Sequence, residues 1–553
     1  MATPEPSLPD EQRWYHDITR YQWTVLIIAS LGWVFDIFEG QIFVASMNEA
    51  MDALVPQGTA PGTKDNYKQI TFALFLLGGA SGGVVFGMMS DRIGRKKTMT
   101  MTIVMYSLFT WLSAFSLEWW HMAGFRFLVA MGVGGEWAVA SSLVAEVFPE
   151  RARARVSGIF HASSVFGTWM ATGVATLFIG SEPIKRFFED QGYPTLTWRL
   201  GFGMGVLPAL LIIWIRRSLK EPDSWEQAKS RADQGTAAAL GRIPELFRGT
   251  LLRPTIVGVS LAAIGMATFW GAHVFGKNLL RRDYELQLFE DALQRAERTD
   301  EIVTEWQTYL ADSVEFREQT PKQQQAAIDK IDAFQSSLAE YERRPTATRT
   351  ETAALLAQLK MLPPPLKNGD GNPLVPEVGK DPVLMFVGNN AARIKRWEML
   401  GMFLVTTGGG FGLLCFGPLC ERFGRRVTFL AYHLGGLAAS LIAFQLLTGV
   451  GVLIATLPIF GFLTLGMHAG YAVYFPELYP TRLRGSGAGF CFNFGRILAA
   501  PILLLSGKMR DVPAKGGFGY SMEDAASVLC LLFLAGVLAL VFAPETRGRT
   551  LPE

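Results

Sequence analysis

The chain has 553 residues, half of them hydrophobic and 18% charged, with a formal net charge of +2. Soluble proteins carry about a quarter charged residues, and an apolar content this high also excludes a disordered chain. Four cysteines exclude a disulfide scaffold, and the near-neutral balance leaves no electrostatic footprint for nucleic acid.

A helix needs about 20 mostly apolar residues to cross the hydrocarbon core of a bilayer. Such runs lie near 21–47, 69–90, 98–117, 121–145, 156–180 and 198–216, and again near 254–279, 398–419, 427–448, 452–475, 486–506 and 522–543. They predict an all-α membrane protein with twelve transmembrane helices, numbered 1 to 12 below. Residues 1–20 hold Asp10, Glu11, Arg13, His16, Asp17 and Arg20, without the apolar core or cleavage site of a signal peptide. Helix 1 is therefore expected to direct insertion.

Basic residues mark alternate loops. Arg92, Arg95, Lys96 and Lys97 follow helix 2, and Arg151, Arg153 and Arg155 follow helix 4. Arg422, Arg425 and Arg426 follow helix 8, Arg482 and Arg484 follow helix 10, and Arg547 and Arg549 follow helix 12. Positive loops stay in the cytoplasm, so both termini are expected there. Tyr21, Trp23, Trp119 and Trp120 fall where interface belts belong.

Two motifs repeat at nearly one offset. Gly87-Met-Met-Ser-Asp91-Arg92-Ile-Gly94-Arg95 returns 330 residues later as Gly417-Pro-Leu-Cys-Glu421-Arg422-Phe-Gly424-Arg425. Glu146-Val-Phe-Pro149-Glu-Arg151-Ala-Arg153 returns after 331 as Glu477-Leu-Tyr-Pro480-Thr-Arg482-Leu-Arg484. The chain therefore reads as two six-helix halves related by duplication.

The expected organisation is a segment 1–20, a first half 21–216, a linker 217–253, helix 7 at 254–279, a polar insertion at 280–395, helices 8–12 within 396–543, and a tail 544–553. By parity the insertion is extracytoplasmic. Leu286, Phe289, Leu293, Ala296, Val303, Trp306 and Leu310 suggest one amphipathic helix in it, and Ile328, Ile331, Leu338 and Tyr341 a second. Pro363 to Gly371 reads as an extended linker. A helical hairpin acting as a cap or partner surface is the expectation, since the insertion holds no ligand cluster. Cys415, Cys420, Cys491 and Cys530 all belong to the membrane region, and no Asn-x-Ser/Thr acceptor occurs. Both absences fit a bacterial inner membrane.

The paired Gly-x-x-x-Asp/Glu-Arg-x-Gly-Arg loops, Arg126 on helix 4, the two Glu-x-x-Pro loops and Pro544-Glu545-Thr546-Arg547-Gly548-Arg549 resemble the major facilitator superfamily. Gly134-Gly135-Glu136-Trp137, Asp36-Ile-Phe-Glu39 and Asn493-Phe-Gly-Arg496 are similar to its metabolite–proton symporter branch, which includes aromatic-acid, sialic-acid and monocarboxylate carriers beside sugar porters. The Glu221-Pro-Asp-Ser224 segment resembles the same sugar-and-organic-acid group. The glutamine-rich signature of sugar porters is missing from helices 5 and 7, as is the Gly-Pro signature of drug antiporters from helix 5. The resemblance thus implies secondary transport of an organic anion. It also implies that the repeated loops form a cytoplasmic gate: Gly87, Asp91, Arg92, Gly94, Arg95, Glu146, Arg151 and Arg153 in one half, Glu421, Arg422, Gly424, Arg425, Glu477, Arg482 and Arg484 in the other. In that gate a carboxylate such as Asp91 or Glu421 can hold the N-terminus of a partner helix.

Ionisable residues at bilayer depth are costly unless paired or lining a wet cavity. Asp36 and Glu39, three apart, share a helical face. Two carboxylates on one low-dielectric face resist ionising together, the property a proton carrier needs. One of them could instead anchor a neighbouring helix. Glu136 lies ten residues after Arg126, about 15 Å along the axis, too far for direct pairing. It either takes a proton or bonds an adjacent helix. Arg496 follows Asn493 in an apolar run and is either a clamp for a substrate carboxylate or the partner of Asp36 or Glu136. His161, His273 and His468 are relay candidates or hydrogen-bonded core histidines, and Phe269, Trp270, Tyr471 and Tyr474 are candidate cavity walls.

The leading expectation is a proton-coupled symporter importing a small carboxylate. The alternatives are a symporter of sugars or other neutral metabolites, and a non-transporting sensor or scaffold with a protein partner at its outer insertion. No metal-spaced His/Cys cluster, phosphate loop or nucleophile elbow appears, so no enzyme, metal or cofactor is expected. Substrate, protons and bilayer are the expected partners of a monomer.

Overall fold

The computed structural model describes residues 14–56, 61–175, 177, 182–193, 195–235, 238–269, 274–296, 299–317, 319–344, 348–362, 378–510 and 520–553. Among them the regular elements are helices. Nine helical stretches there are long and apolar enough to cross a membrane. Together with shorter or interrupted helices they supply the twelve spans of two six-helix halves. Helices 1 to 4 are Arg20–Leu54, Pro61–Ile93, Arg95–Ser113 and Trp119–Val147. Thr19 starts helix 1 with a capping box closed by Gln22, which satisfies two end groups reciprocally.

Among the described residues, four spans are interrupted. Helix 5 divides at Ser163 into Glu150–Ala162 and Ser164–Val174. Helix 6 is Leu196–Gly203, a 3₁₀ turn at Met204–Val206 and Ala209–Ser218, the last beginning after Pro208. Pro208 has no N–H to continue the preceding ladder. Helix 10 is Val450–Leu465, a 3₁₀ turn Gly466–His468 and Ala469–Glu477. Helix 12 is Met522–Cys530 followed by Leu532–Val541. Helices 7, 8, 9 and 11 are Leu252–Thr268, Phe386–Phe423, Arg425–Gln445 and Arg484–Arg510.

The duplication is also written into the packing. A Cβ on Gly78 or Gly82 of helix 2 would overlap the carbonyls of Phe127 and Met131 on helix 4. At the same 330-residue offset, a Cβ on Gly408 or Gly412 of helix 8 would overlap the carbonyls of Pro458 and Phe462 on helix 10. Small residues let backbones meet where hydrocarbon offers no hydrophobic drive for association.

The insertion belongs to a separate compact unit, residues 276–403 with 447–456. It is richer than the hairpin that the spacing predicts. Helices Val274–Arg295, Thr299–Asp312, Val314–Arg317, Pro321–Glu342 and Arg349–Lys360 share a core that includes Phe289, Val303, Trp306, Ile331, Phe334, Leu338 and Leu355. Where one helix is expected first, one ends at Arg295 and another starts at Thr299, and a further helix, Arg349–Lys360, adds to the two that the spacing predicts. Buried Asp283 ties the unit together, pairing with Arg282 and Arg349 and accepting from the Gly449 amide at 2.5 Å. The expected linker at 363–371 lies outside the described residues.

Candidate functional site

Helices 1, 3 and 4 bring together three carboxylates. Asp36, Glu39 and Glu136 are each 0–1% exposed. Glu136 Oε2 accepts from the Thr102 hydroxyl at 2.5 Å, whereas the other five carboxylate oxygens have no hydrogen-bond partner among the described residues. Gly32 on helix 1 makes room for Glu136: a Cβ there would stand 2.6 Å from Oε1. Asp36 lies within electrostatic reach of Glu136, Glu39 and Arg496. Tyr106, also fully buried, faces all three acids with a hydroxyl that has no partner among the described residues.

Arg126 and Glu136 are served by different partners, as their axial separation requires. Arg126 donates to Ser113 Oγ at 2.7 Å, lies between the rings of Phe43 and Phe202 at 5.5 and 4.8 Å, and faces Glu39. The half-buried guanidinium of Arg496 lies 4.7 Å from the centre of the Phe492 ring and faces Asp36. Asn493 reaches from helix 11 to helix 4, donating to the Gly134 carbonyl at 3.3 Å as well as to Gly489 at 3.0 Å. Trp137 stacks on Phe492 across the same interface, with ring centres 3.8 Å apart.

The histidines are held by local bonds. The Trp137 indole N–H lies 3.4 Å from His161 Nδ1, and since it can only donate, that nitrogen is an acceptor. His468 Nδ1 lies 3.1 Å from the Leu465 carbonyl and therefore carries a proton, while its Nε2 is unpartnered among the described residues. Tyr471 donates to the Leu261 carbonyl on helix 7 at 3.0 Å, fitting where Gly265 has no side chain. Trp270 and His273 lie outside the described residues. Tyr474 donates to the Pro544 carbonyl, and Phe269 packs edge-on to His468.

A second assembly joins the halves at their basic end. Arg95 pairs with Asp91 at 2.6 Å and with Glu146 at 2.7 Å, all three buried. Arg484 of the second half pairs with the same Glu146 at 2.9 Å. Asp91 also accepts from the Gly485 amide at 3.0 Å, the Ser486 amide at 2.8 Å and the Ser486 hydroxyl at 2.6 Å. These groups open helix 11, so the carboxylate rests on a helix N-terminus as the repeat motif implies. Gly87 permits the approach, since a Cβ there would stand 2.6 Å from the Gly485 carbonyl.

In the second half Arg425 pairs with Glu477 at 2.6 Å, and Glu421 pairs with Arg155 at 2.6 Å. Gly94 and Gly424 have φ of +109° and +89°, where a β-carbon is disfavoured. Each precedes a helix whose first amides donate to a remote glutamate. Arg95 and Lys96 reach Glu221 at 2.6 and 3.2 Å, and Arg425 and Arg426 reach Glu545 at 3.0 and 3.1 Å. Arg153 and Arg484 bond carbonyls eight residues earlier, Ala145 at 3.0 Å and Pro476 at 3.1 Å. Arg482 pairs with Glu245 at 2.5 Å, Arg92 reaches the carbonyls of Leu240 and Gly241, Arg422 stacks on Phe423, and Arg151 is exposed.

A family model described as sugar (and other) transporter matches residues 24–248. A putative metabolite transport protein of Haemophilus influenzae is 22% identical over 97% of this chain and 99% of its own length. The solved proton:xylose symporter XylE shares the fold at a TM-score of 0.57, with 15% identity over 96% of this chain and 98% of that one. The chain has the fold of the solved major facilitator superfamily symporters, and its first half is similar to sugar and other transporters. Its apolar helices mark a multi-pass membrane protein, and its relatives include proteins named as metabolite transporters. Another relative, the sialic acid transporter NanX of Escherichia coli, is 30% identical over 42% of this chain. The match spans about half of NanX, 52% of its length.

Several contributors to these sites carry little signal in the sequence. Thr102 and Tyr106 look like ordinary helix-3 residues until the fold turns them toward the acids. Glu221 and Glu545 were visible as motif letters, and the shared position before each partner's end gave a signal, but not the role of capping a distant helix. Gly32 gave no signal at all, because its function is to leave space for another helix's side chain.

Proposed function

We propose that this transporter carries a small organic anion together with a proton, by alternating access between its two halves. The observation that supports it is a charge count. Three buried carboxylates, Asp36, Glu39 and Glu136, face two arginines, Arg126 and Arg496. One negative charge is left over, and a proton is the natural counter-charge in a site where, among the described residues, only the Thr102 hydroxyl donates in good geometry to a carboxylate oxygen.

Coupling follows from Arg496 facing Asp36. Protonating Asp36 removes its claim on the guanidinium, which can then clamp a substrate carboxylate bidentately. Substrate and proton therefore bind as a pair. The halves rock about this site at mid-membrane, and the buried Arg95–Glu146–Arg484 assembly closes one face. The positive-inside rule supports a cytoplasmic location for that face and for both termini. Sialic acid, the substrate in the name of one relative, is itself a carboxylic acid.

Proteoliposomes with an internal pH dye test the reading, using carboxylate and sugar panels outside and Asp36→Asn as the control for passive acid leakage. Carboxylates should acidify the lumen in a protein-dependent way. Arg496→Ala should abolish uptake without loss of folded protein, and Asp36→Asn should remove the pH dependence while sparing substrate exchange. Acidification by sugars alone, with Arg496→Ala active, would establish a neutral-metabolite symporter in its place.

A further inference from the structure

Beside the latch lies a cavity of about 350 Å³ lined by Arg92, Lys229, Asp233, Ala239, Leu240 and Arg242. The walls come from the end of helix 2, the linker helix Asp223–Asp233 and the turn at 239–242. Each cation is positioned by a contact that leaves its charge largely uncancelled. Among the described residues Arg92 donates to the carbonyls of Leu240 and Gly241, both at 3.4 Å. Lys229 Nζ lies 5.2 Å from the centre of the Trp225 ring. Arg242 is 3.9 Å from Glu245, whose carboxylate sits closer to Arg482, at 2.5 Å.

Three cations and one carboxylate, Asp233, therefore line one hollow that is open to solvent. Like charges drawn together repel unless an anion joins them. Planar guanidinium forks beside a compact ammonium match the oxygens of a phosphate group. The volume falls in the range of small-molecule sites, about 300–1,000 Å³, so a phosphate with an organic substituent would fit as well as the bare ion.

We propose that this cavity binds a phosphate group, free or on a lipid head, and that its occupation holds the basic end of the transporter shut. The second clause rests on the gate reading given above. The turn that supplies Leu240 and Arg242 is already tied to the second half, because the Gly241 amide donates to the Arg482 carbonyl at 2.9 Å. A Cβ on Gly241, whose φ is +66°, would stand 2.9 Å from the Met88 carbonyl, so the turn also lies directly on helix 2. An anion shared by Arg92 and Arg242 adds a tie between the same elements. Parting the halves at this end would then require losing the anion or the Gly241–Arg482 bond.

The test uses full-length protein in phosphatidylcholine nanodiscs. Inorganic phosphate is titrated against chloride at matched ionic strength, and a second arm replaces part of the lipid with phosphatidic acid without added phosphate. Hydrogen exchange at Gly241 reports the site, and exchange at Gly485 and Ser486 reports the latch. Saturable protection at all three amides is expected, from phosphate if the ligand is free and from phosphatidic acid if it is a lipid head. Lys229→Gln with Arg242→Gln should weaken it about tenfold or more, as loss of two charge-assisted contacts requires, and Lys229→Arg should retain it. Absence of protection in both arms, or an equal response in the double variant, would overturn the site. Protection confined to Gly241 would overturn the closing role alone and leave the transport reading untouched.

Discussion

The two halves carry the same loop motif but close on different partners. In the first, Arg95, Asp91 and Glu146 are fully buried, and their network crosses to Arg484 and to the first amides of helix 11. In the second, Arg425 pairs with Glu477, which also accepts from the Thr546 hydroxyl of the tail, all within that half. The ion pair by which its loop carboxylate crosses is Arg155–Glu421, whose side chains keep 30% and 19% of their exposure. Duplication thus preserved the lock inside each half, while the contact between halves became deep on one side and shallow on the other. Depth decides energy here, because water screens the shallow pair and leaves the deep one uncompensated when a partner is lost.

The largest effect should come from breaking the deep side. Arg95→Ala leaves Asp91 and Glu146 buried with one guanidinium fewer, a change worth about 3–5 kcal/mol. It should appear as a pronounced loss of thermal stability in detergent. An unchanged melting temperature would mean that the basic end is wet and open in solution.

A direct comparison of the two crossing carboxylates sharpens the contrast. Asp91→Asn removes the charge from the helix-11 N-terminus and should speed hydrogen exchange at Gly485 and Ser486. Glu421→Gln should leave those amides protected and change stability by about 0–1 kcal/mol, as for a partly exposed pair. Equal effects from both would erase the asymmetry.

The smallest expected effect concerns the tail. Burial opposes ionisation of Glu545, but backbone N–H groups of Arg425, Arg547, Arg426 and Thr546 outweigh it and hold the carboxyl below its ordinary value of 4.5. A lowered folded-state value stabilises above the ordinary value and is lost as pH falls through the folded one. The melting-temperature gap between the wild type and Glu545→Gln should therefore be full near neutrality and shrink below about pH 4.5. A gap that stays constant to lower pH would mean that the charge does not dock the tail.

The latch was the more legible of the two sites in sequence because its chemistry sits in short loops whose letters repeat. Asp91, Arg95, Glu146 and their counterparts could be paired off by offset alone. The central cluster was legible only as a set of costly residues. Asp36, Glu39, Glu136 and Arg496 stand out in apolar runs, but their runs are apolar all round, so no stripe reveals which side faces which neighbour. That is why Arg496 remained a choice between clamp and partner, and why Tyr106 went unremarked.

The sequence by itself determined the spans, the duplication and the insertion, because hydropathy and motif offset are local properties that survive without coordinates. It could not determine that Arg126 serves Glu39 while Arg496 faces Asp36, that Gly32 makes room for Glu136, or that Asp91 rests on the start of helix 11. Each of those depends on the rotation of one helix about its axis and the approach of another tens or hundreds of residues away. Only close packing of backbones over small residues, such as Gly78 on Phe127 and Gly87 on Gly485, decided them.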